Sequence, residues 1–511
     1  MKTSASFLVV AGLLAFAVPA FPAAKPNVML ITVDDMGSWE TVGSFGGPIA
    51  GATPNMDRLA TEGIRFIHAH CVVAVCYPDR NAINSGRYPF NSGGEGFYPL
   101  RVPNVPILPG ELKKAGYRVG LINKLPHDMP YKDFRWDVTV STPRNPESFY
   151  QETKKFIEEA KAKGQPFYLM NNSTDPHRPF HNSNQEQAKA VKETGKAQTR
   201  KAGKQAAKGE GGDAEVVDSG GSAMPSRVYT TAEVKPWGHL PDLPPIREEI
   251  AQYFSSVRRC DDTLGAMMRA VKDAGVEENT LVIFLSDNGP SFPFSKANCY
   301  PVSTRTPLIL RWPGHIKPGL KDVNDMVCTI DLMPTILDAA GVPLPPDLDG
   351  LSLRPSFEGK SLPGRDIMFT VMGQTSSKLN LPTRCAQTPQ FCYLYNPWSN
   401  GKRICRTESQ GGLTWAAMQV AANTDPAMAD RCNFYTYRAR EEFYDLTKDP
   451  HSLKNLIADP QYAKEIERFR GELEKWMVRT KDPALEAFRN RTSAEAQEKF
   501  MAKVIADCGG K

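Results

Sequence analysis

The sequence predicts an α/β fold: a doubly wound, mostly parallel sheet with helices on both faces, followed by a smaller C-terminal α+β subdomain. Short apolar runs alternate with helix-length amphipathic segments throughout 27–345, the pattern of strands buried on both faces and joined by crossover helices. Polar clusters rich in Asp, Asn and His stand at the carboxyl ends of three of those runs, where open α/β sheets bind ligands. Near residue 360 the segments shorten and aromatic residues and cysteines become more frequent.

Taken in order, 27–33 reads as a buried strand ending in Asp34-Asp35. Thr53-Pro54 opens a helix, Thr53 as N-cap and Pro54 at the first helical position, that ends near Gly63. A helix closed by Gly116 precedes a strand at 117–122. In the helix expected over 147–163, Phe149, Phe156 and Ile157 share one face. A strand at 166–170 leads into the polar stretch 171–180. A long helix covers 247–274, a strand 280–285 ends in Ser286-Asp287-Asn288-Gly289, a further strand covers 308–310, and a helix over 329–340 is closed by Gly341. The chain is expected to end in an amphipathic helix over 461–478.

Composition narrows the class. Of 511 residues, 41% are apolar and 23% charged, which excludes global disorder. The 62 basic and 57 acidic residues nearly balance, so nothing calls for a nucleic-acid partner. Lys2 precedes an apolar run of 12 residues over 7–18, and small residues follow. Residues 1–24 therefore read as a secretory signal peptide. The run is shorter than the ~20 residues that span a bilayer, so the expectation is a protein exported to the periplasm or beyond, without stable membrane insertion. Ten cysteines fit an oxidising compartment. Pairings among Cys385, Cys392, Cys405 and Cys432 stay open, and Cys71, Cys260, Cys299 and Cys328 read as buried or functional. The domain expectation is 25–360 for the catalytic part and 361–511 for the C-terminal part. Within the first, 183–223 is expected to be a solvated insertion: 183–208 carries seven Lys/Arg against two Glu, and large apolar residues are nearly absent. A basic arm for an acidic polymer is the other reading of that stretch.

Asp34, Asp35, Asp287 and Asn288 offer four hard oxygen ligands from two strand ends, while no Cys/His cluster has zinc spacing. All-oxygen ligation points to Ca²⁺ or Mg²⁺, and three carboxylates with an amide favour Ca²⁺. The most specific motif is Cys76-Tyr77-Pro78-Asp79-Arg80, followed by Ser85-Gly86-Arg87.

That motif resembles the signature of the type I sulfatases, and the landmarks Thr53-Pro-Asn-Met-Asp-Arg-Leu, Gly116-Tyr-Arg, Ser286-Asp-Asn-Gly and Asp331-Leu-Met-Pro-Thr-Ile-Leu extend the likeness over nearly the whole chain after residue 24. Asp175-Pro-His-Arg-Pro-Phe-His181, 292–300, Tyr437-Arg-Ala-Arg and Tyr444-Asp-Leu look closest to the sulfamidases, or heparan N-sulfatases, and their bacterial relatives. The resemblance implies the alkaline-phosphatase-like fold, and a formylglycine (3-oxoalanine) made from Cys76 by a sulfatase-maturing enzyme. It also implies a cation held by Asp34, Asp35, Asp287, Asn288 and residue 76. The substrate it implies is a sulfated saccharide. Arg80, Lys124 and Lys296 would neutralise sulfate oxygens, His177 would protonate the leaving group, and His127 would act as base. His181 would be either a substrate contact or a loop residue, and Glu95 and Lys378 would reach toward the sugar, Lys378 toward an acidic group or second sulfate.

The sequence departs from the family at three places. Asp79 stands where Ser or Ala is usual, Asn123-Lys124-Leu-Pro-His127 is one residue longer than Gly-Lys-x-His, and Phe90-Asn-Ser-Gly-Gly-Glu95 replaces the sulfamidase-like His-Gln-Asn-Gly run. The changed loop favours an O-sulfated over an N-sulfated sugar, because unmatched buried polar groups cost ~1–3 kcal/mol each. A phosphodiesterase or phosphonate hydrolase on the same scaffold, and a silent sugar-binding homologue with unmodified Cys76, are the alternative readings.

Overall fold

A computed structural model describes residues 25–189 and 222–510. The expected signal segment and residues 190–221 of the expected insertion lie outside them. Fourteen strands are described: β1 Asn27–Val33, β2 Ile64–Phe66, β3 Ala69–His70, β4 Arg118–Ile122, β5 Val138–Val140, β6 Phe167–Ser173, β7 Thr280–Ser286, β8 Leu308–Arg311, β9 Leu320–Asp322, β10 Val327–Cys328, β11 Met368–Gln374, β12 Asn380–Gln387, β13 Phe391–Tyr395 and β14 Glu441–Asp445.

Eight of these form the main sheet, in the order β5-β4-β6-β1-β7-β8-β2-β9. Every pairing is parallel except those of β8, which runs against β7 and β2. The expected doubly wound sheet is thus present, and the strand foreseen at 308–310 is its one reversed member. β1, β6 and β7 are almost wholly buried, which explains their unbroken apolar character. Two apolar layers cover the faces. On one, the helices Pro146–Ala162 and Pro244–Asp273 press Phe149, Phe156, Ile157, Ile250 and Val257 against Met29, Leu169 and Val282. On the other, Leu112, Leu332, Ile336 and Leu337 meet Val28, Leu30, Met170 and Ile283. The alternation of β1 residues between these layers is the two-residue period of a strand.

The C-terminal part is an antiparallel sheet, β11-β12-β13-β14, packed by the helix Ala463–Thr480 through Phe469, Leu473 and Trp476. Trp476 stacks on Phe369 at 5.0 Å and meets Tyr88 edge-on at 5.0 Å, so it joins this sheet to the loop after the signature motif.

Three local expectations are corrected. Thr53 does not cap its helix; its Oγ1 accepts from Gly43 N at 3.0 Å and reaches Asp57 instead. The segment 329–340 divides into a 3₁₀ turn, Thr329–Asp331, and the helix Leu332–Ala339. The chain does not end with the helix near 478; Leu485–Arg489 and Ala494–Cys508 follow, the latter capped by Ser493. No helix among the described residues is long and apolar enough to cross a membrane. Cys385 and Cys392 face each other with Sγ atoms 3.4 Å apart, unbonded.

Candidate active site

Strands β4, β6, β1 and β7 are neighbours, so their carboxyl ends deliver polar residues to one place. β1 ends in Asp34 and Asp35, β7 in Asp287 and Asn288, β4 in Asn123 and Lys124, and β6 runs on to Asp175 and His177. Asp35, Asn123 and Lys124 adopt left-handed backbone, with φ of 64°, 58° and 54°. This conformation is rare for residues with a side chain and concentrates at functional sites. Gly289 fits tightly behind them: a Cβ there would lie 2.3 Å from Val302 O and 2.6 Å from Ser295 O. That close backbone packing fixes the loop carrying Lys296.

Cys76 is the first residue of the helix Cys76–Ser85, whose ten residues are all buried. Its sulfur lies 3.7 Å from Asn288 Oδ1. It shares one cluster with carboxylate oxygens of Asp34 and Asp287 and another with Asp35 and His177, ligand atoms in each lying within 4.8 Å of one another. Burial pushes the thiol pKa well up, so the unmodified side chain is a neutral thiol and a poor nucleophile.

One helical turn on, Arg80 fills the floor. Its guanidinium donates to Asp34 Oδ1 at 2.6 Å, Asp128 Oδ2 at 2.8 Å, Asp287 Oδ2 at 3.0 Å, Asn172 Oδ1 at 2.8 Å and Thr32 Oγ1 at 2.9 Å. A wholly buried guanidinium persists because its donors are met by this planar array. Lys124 pairs with Asp34 Oδ2. Burial would raise the Asp34 pKa, but Lys124 and Arg80 outweigh it and hold the carboxyl far below its usual range. Burial, then the Asp34 charge, push Asp287 the other way.

The donor set fits a hard divalent cation. Asp35 Oδ2 and Asp287 Oδ1 are buried and accept no hydrogen bond, an arrangement that is costly unless a positive charge completes it, and Asp34 Oδ2 beside them meets only the Lys124 ammonium. Asn288 spends its Nδ2 on Asp35 Oδ1 at 2.7 Å and Gly289 O at 2.8 Å, which turns its carbonyl oxygen toward Cys76.

The two histidines differ. His177 Nδ1 lies 2.6 Å from the Arg178 carbonyl and therefore carries its proton there, leaving Nε2 facing Asp35 Oδ2 at 4.0 Å. Burial lowers its pKa, opposed by Asp35. His127 stacks on Tyr77 at 5.2 Å and meets Phe97 edge-on. Burial, with Lys124 and Arg80 nearby, lowers its pKa to about 3, so it is a neutral base at ordinary pH.

Lys296 lies between Phe294 and Ala297, both with positive φ. Its ammonium contacts Asp35 Oδ1 at 2.6 Å and pairs with Glu408 Oε1. The other sequence-derived candidates have different partners. His181 is buried against Ser256 and Glu186. Glu95 directs its carboxylate to Cys508 Sγ at 3.8 Å, and Lys378 is exposed in the turn between β11 and β12. Asp79 anchors the motif from behind, accepting from Thr329 Oγ1 at 2.7 Å and Val73 N at 3.3 Å. Sequence reasoning missed Thr32, Asp128, Asn172 and Glu408. The first three are polar residues in or just after strands, or beside His127, but no local pattern joins them to Arg80; Glu408 comes from a distant segment with no motif.

The sulfatase family model matches residues 26–342. The chain belongs to the sulfatase family. Human N-sulphoglucosamine sulphohydrolase is 29% identical over 493 residues, covering 90% of this chain and 91% of that protein. Among solved structures, one described as a complex with its substrate D-glucosamine-2-N,6-O-disulfate superposes with a TM-score of 0.64 at 19% identity, covering 90% of this chain and 99% of its own. The phosphonate monoester hydrolase of Agrobacterium radiobacter superposes with a TM-score of 0.58 at 17% identity, covering 89% and 96%. At such identities these structures establish the shared fold, the alkaline-phosphatase-like architecture, which this sulfatase has with its C-terminal antiparallel sheet.

Proposed function

We propose that this sulfatase hydrolyses sulfate esters of a sulfated carbohydrate, with residue 76, matured from cysteine to formylglycine, as the source of the nucleophile. The observation that carries the reading is the position of Cys76. It begins a buried helix, opposite buried carboxylates of Asp34, Asp35 and Asp287, two of whose oxygens have no hydrogen-bond partner, and above Arg80. Mature residue 76 would supply, in its hydrated form, a hydroxyl for attack on sulfur and a second hydroxyl for sulfate release. Asp34, Asp35, Asp287 and Asn288 would hold a divalent cation, Ca²⁺ by its preference for many oxygen ligands, which supplies positive charge beside the sulfate.

The chain's own groups do the rest. Arg80, Lys124 and Lys296 surround the Cys76 position with fixed positive charge, which favours the charge that develops on the transferring group. His177, its Nδ1–H held on the Arg178 carbonyl, would give a proton to the leaving oxygen from Nε2 as the doubly protonated imidazolium, with Asp35 beside it favouring that charge. His127, neutral and packed between aromatic rings, takes the proton from the remaining hydroxyl. Similarity to the human sulphohydrolase supports a saccharide substrate, and the altered loop 90–95 favours O-sulfate over N-sulfate. A maturing enzyme in the native host, and export directed by 1–24, complete the proposal.

The test compares matched aryl sulfate and aryl phosphonate monoesters under conditions that allow maturation. Higher kcat/KM on the sulfate supports the reading; higher kcat/KM on the phosphonate replaces it with the phosphonate hydrolase reading.

A further inference from the structure

Glu408 belongs to the short turn Glu408–Gly411, far in sequence from every motif. Its Oε1 is buried against the Lys296 ammonium, while a third of the side chain is open to solvent. Burial would raise its pKa, but Lys296 and then His177 outweigh it and hold the carboxyl at about 2, so it is charged at any working pH. The residue therefore stands between the charged floor of the site and the solvent.

Its charge changes what the site matches. Four carboxylates, Asp34, Asp35, Asp128 and Asp287, interlock with Arg80, Lys124 and Lys296. With a divalent cation bound, that group would carry one net positive charge, the complement of a sulfate monoester. Glu408 removes this surplus. A singly negative ligand then enters a neutral group and must displace Glu408 from Lys296 or face it, and juxtaposed like charges are costly where water is excluded. A ligand bearing an ammonium beside its sulfate resolves the conflict, because sulfate takes Lys296 while the ammonium takes Glu408.

We propose that Glu408 is a specificity-determining residue, and that the preferred substrate is a sulfated amino sugar whose nitrogen is an unsubstituted ammonium. The inference rests on the sulfatase reading above and names the sugar class for that same site. Rejection of N-acetylated and uronic analogues is part of it: the first lacks the charge, the second adds a carboxylate opposite Glu408.

The test measures kcat/KM for glucosamine 3-O- and 6-O-sulfate beside their N-acetylated counterparts, with 4-nitrophenyl sulfate as the sugar-free reference. Wild-type enzyme is expected to prefer the free amine by about tenfold or more in at least one pair, the equivalent of ~1.4 kcal/mol. Glu408→Gln, which keeps the shape and removes the charge, is expected to bring that ratio within about threefold by losing rate on the amine. Glu408→Asp, which keeps the charge one methylene shorter, retains a preference of the same sign and controls for folding. Equal rates within each wild-type pair, no turnover of either pair while the aryl sulfate is hydrolysed, or an unaltered ratio in Glu408→Gln would overturn the proposal and leave the sulfatase reading standing. No sulfate release from any substrate by wild-type protein with matured residue 76 would instead defeat the reading beneath it.

Discussion

Arg80 Nη2 meets Asp34 Oδ1 at 2.6 Å with both side chains wholly buried. The same guanidinium also neutralises Asp128 and Asp287. Removing it leaves three buried carboxylates partly uncompensated. Arg80→Ala is expected to lose about 3–5 kcal/mol of stability, read as a fall in denaturation midpoint. Arg80→Lys keeps the charge without the planar fork; it should recover part of the stability and little of the turnover.

Asp287 offers a buried oxygen, Oδ1, with no hydrogen-bond partner, while its Oδ2 accepts from Arg80 Nε at 3.0 Å. Asp287→Ala is expected to bind calcium at least tenfold more weakly than wild type by calorimetry, and to lose activity in parallel. Chelation of wild-type enzyme should lower both activity and melting temperature, since a ligand held only by the folded state stabilises it. Full calcium affinity in the variant would contradict the ligand assignment.

Asp79 replaces the Ser or Ala usual in the motif, and burial raises its carboxyl pKa to about 7 despite the Thr329 hydrogen bond. The folded state therefore holds a proton that the unfolded chain has released above about pH 4. Its contribution is fully present below the unfolded pKa and is lost as pH rises through about 7. Asp79→Asn should be more stabilising at pH 8 than at pH 5, by up to about 3 kcal/mol, since roughly two pH units of the shift lie between pH 5 and the folded value. Urea midpoints of both proteins at the two pH values check the sign, and an equal difference at both would refute it.

Trp476 packs between Phe369 of the C-terminal sheet and Tyr88 of the loop after the motif. Trp476→Ala is expected to cost ~3–5 kcal/mol. Because the ring touches the loop that follows Arg87, the variant should also weaken saccharide binding, seen as a raised KM, more than aryl sulfate binding.

The sheet and the floor of the site were legible in the sequence because their signals are local. β1, β6 and β7 are buried on both faces, so their composition announces them, and Asp34, Asp35, Asp287 and Asn288 sit where such strands end. The short edge strands Val138–Val140 and Leu320–Asp322 were missed, since three half-exposed residues carry no pattern. Asp128 and Asn172 were hidden for another reason. Their role exists only because Arg80 reaches both at 2.8 Å, a relation among three separate segments. Glu408 was illegible for the same reason on a longer scale: its turn meets Lys296 through the packing of the C-terminal part against the catalytic sheet.

The central claim is that residue 76 works as an aldehyde derived from cysteine, and its mass decides the matter. Cleavage after Arg65 and Arg80 releases the peptide 66–80, which carries Cys71 and Cys76. In enzyme that is active and was produced beside a formylglycine-generating enzyme, fragmentation should place an aldehyde at residue 76 and an intact thiol at Cys71, and the modified fraction should scale with specific activity. An unmodified thiol at residue 76 in fully active enzyme would contradict the account.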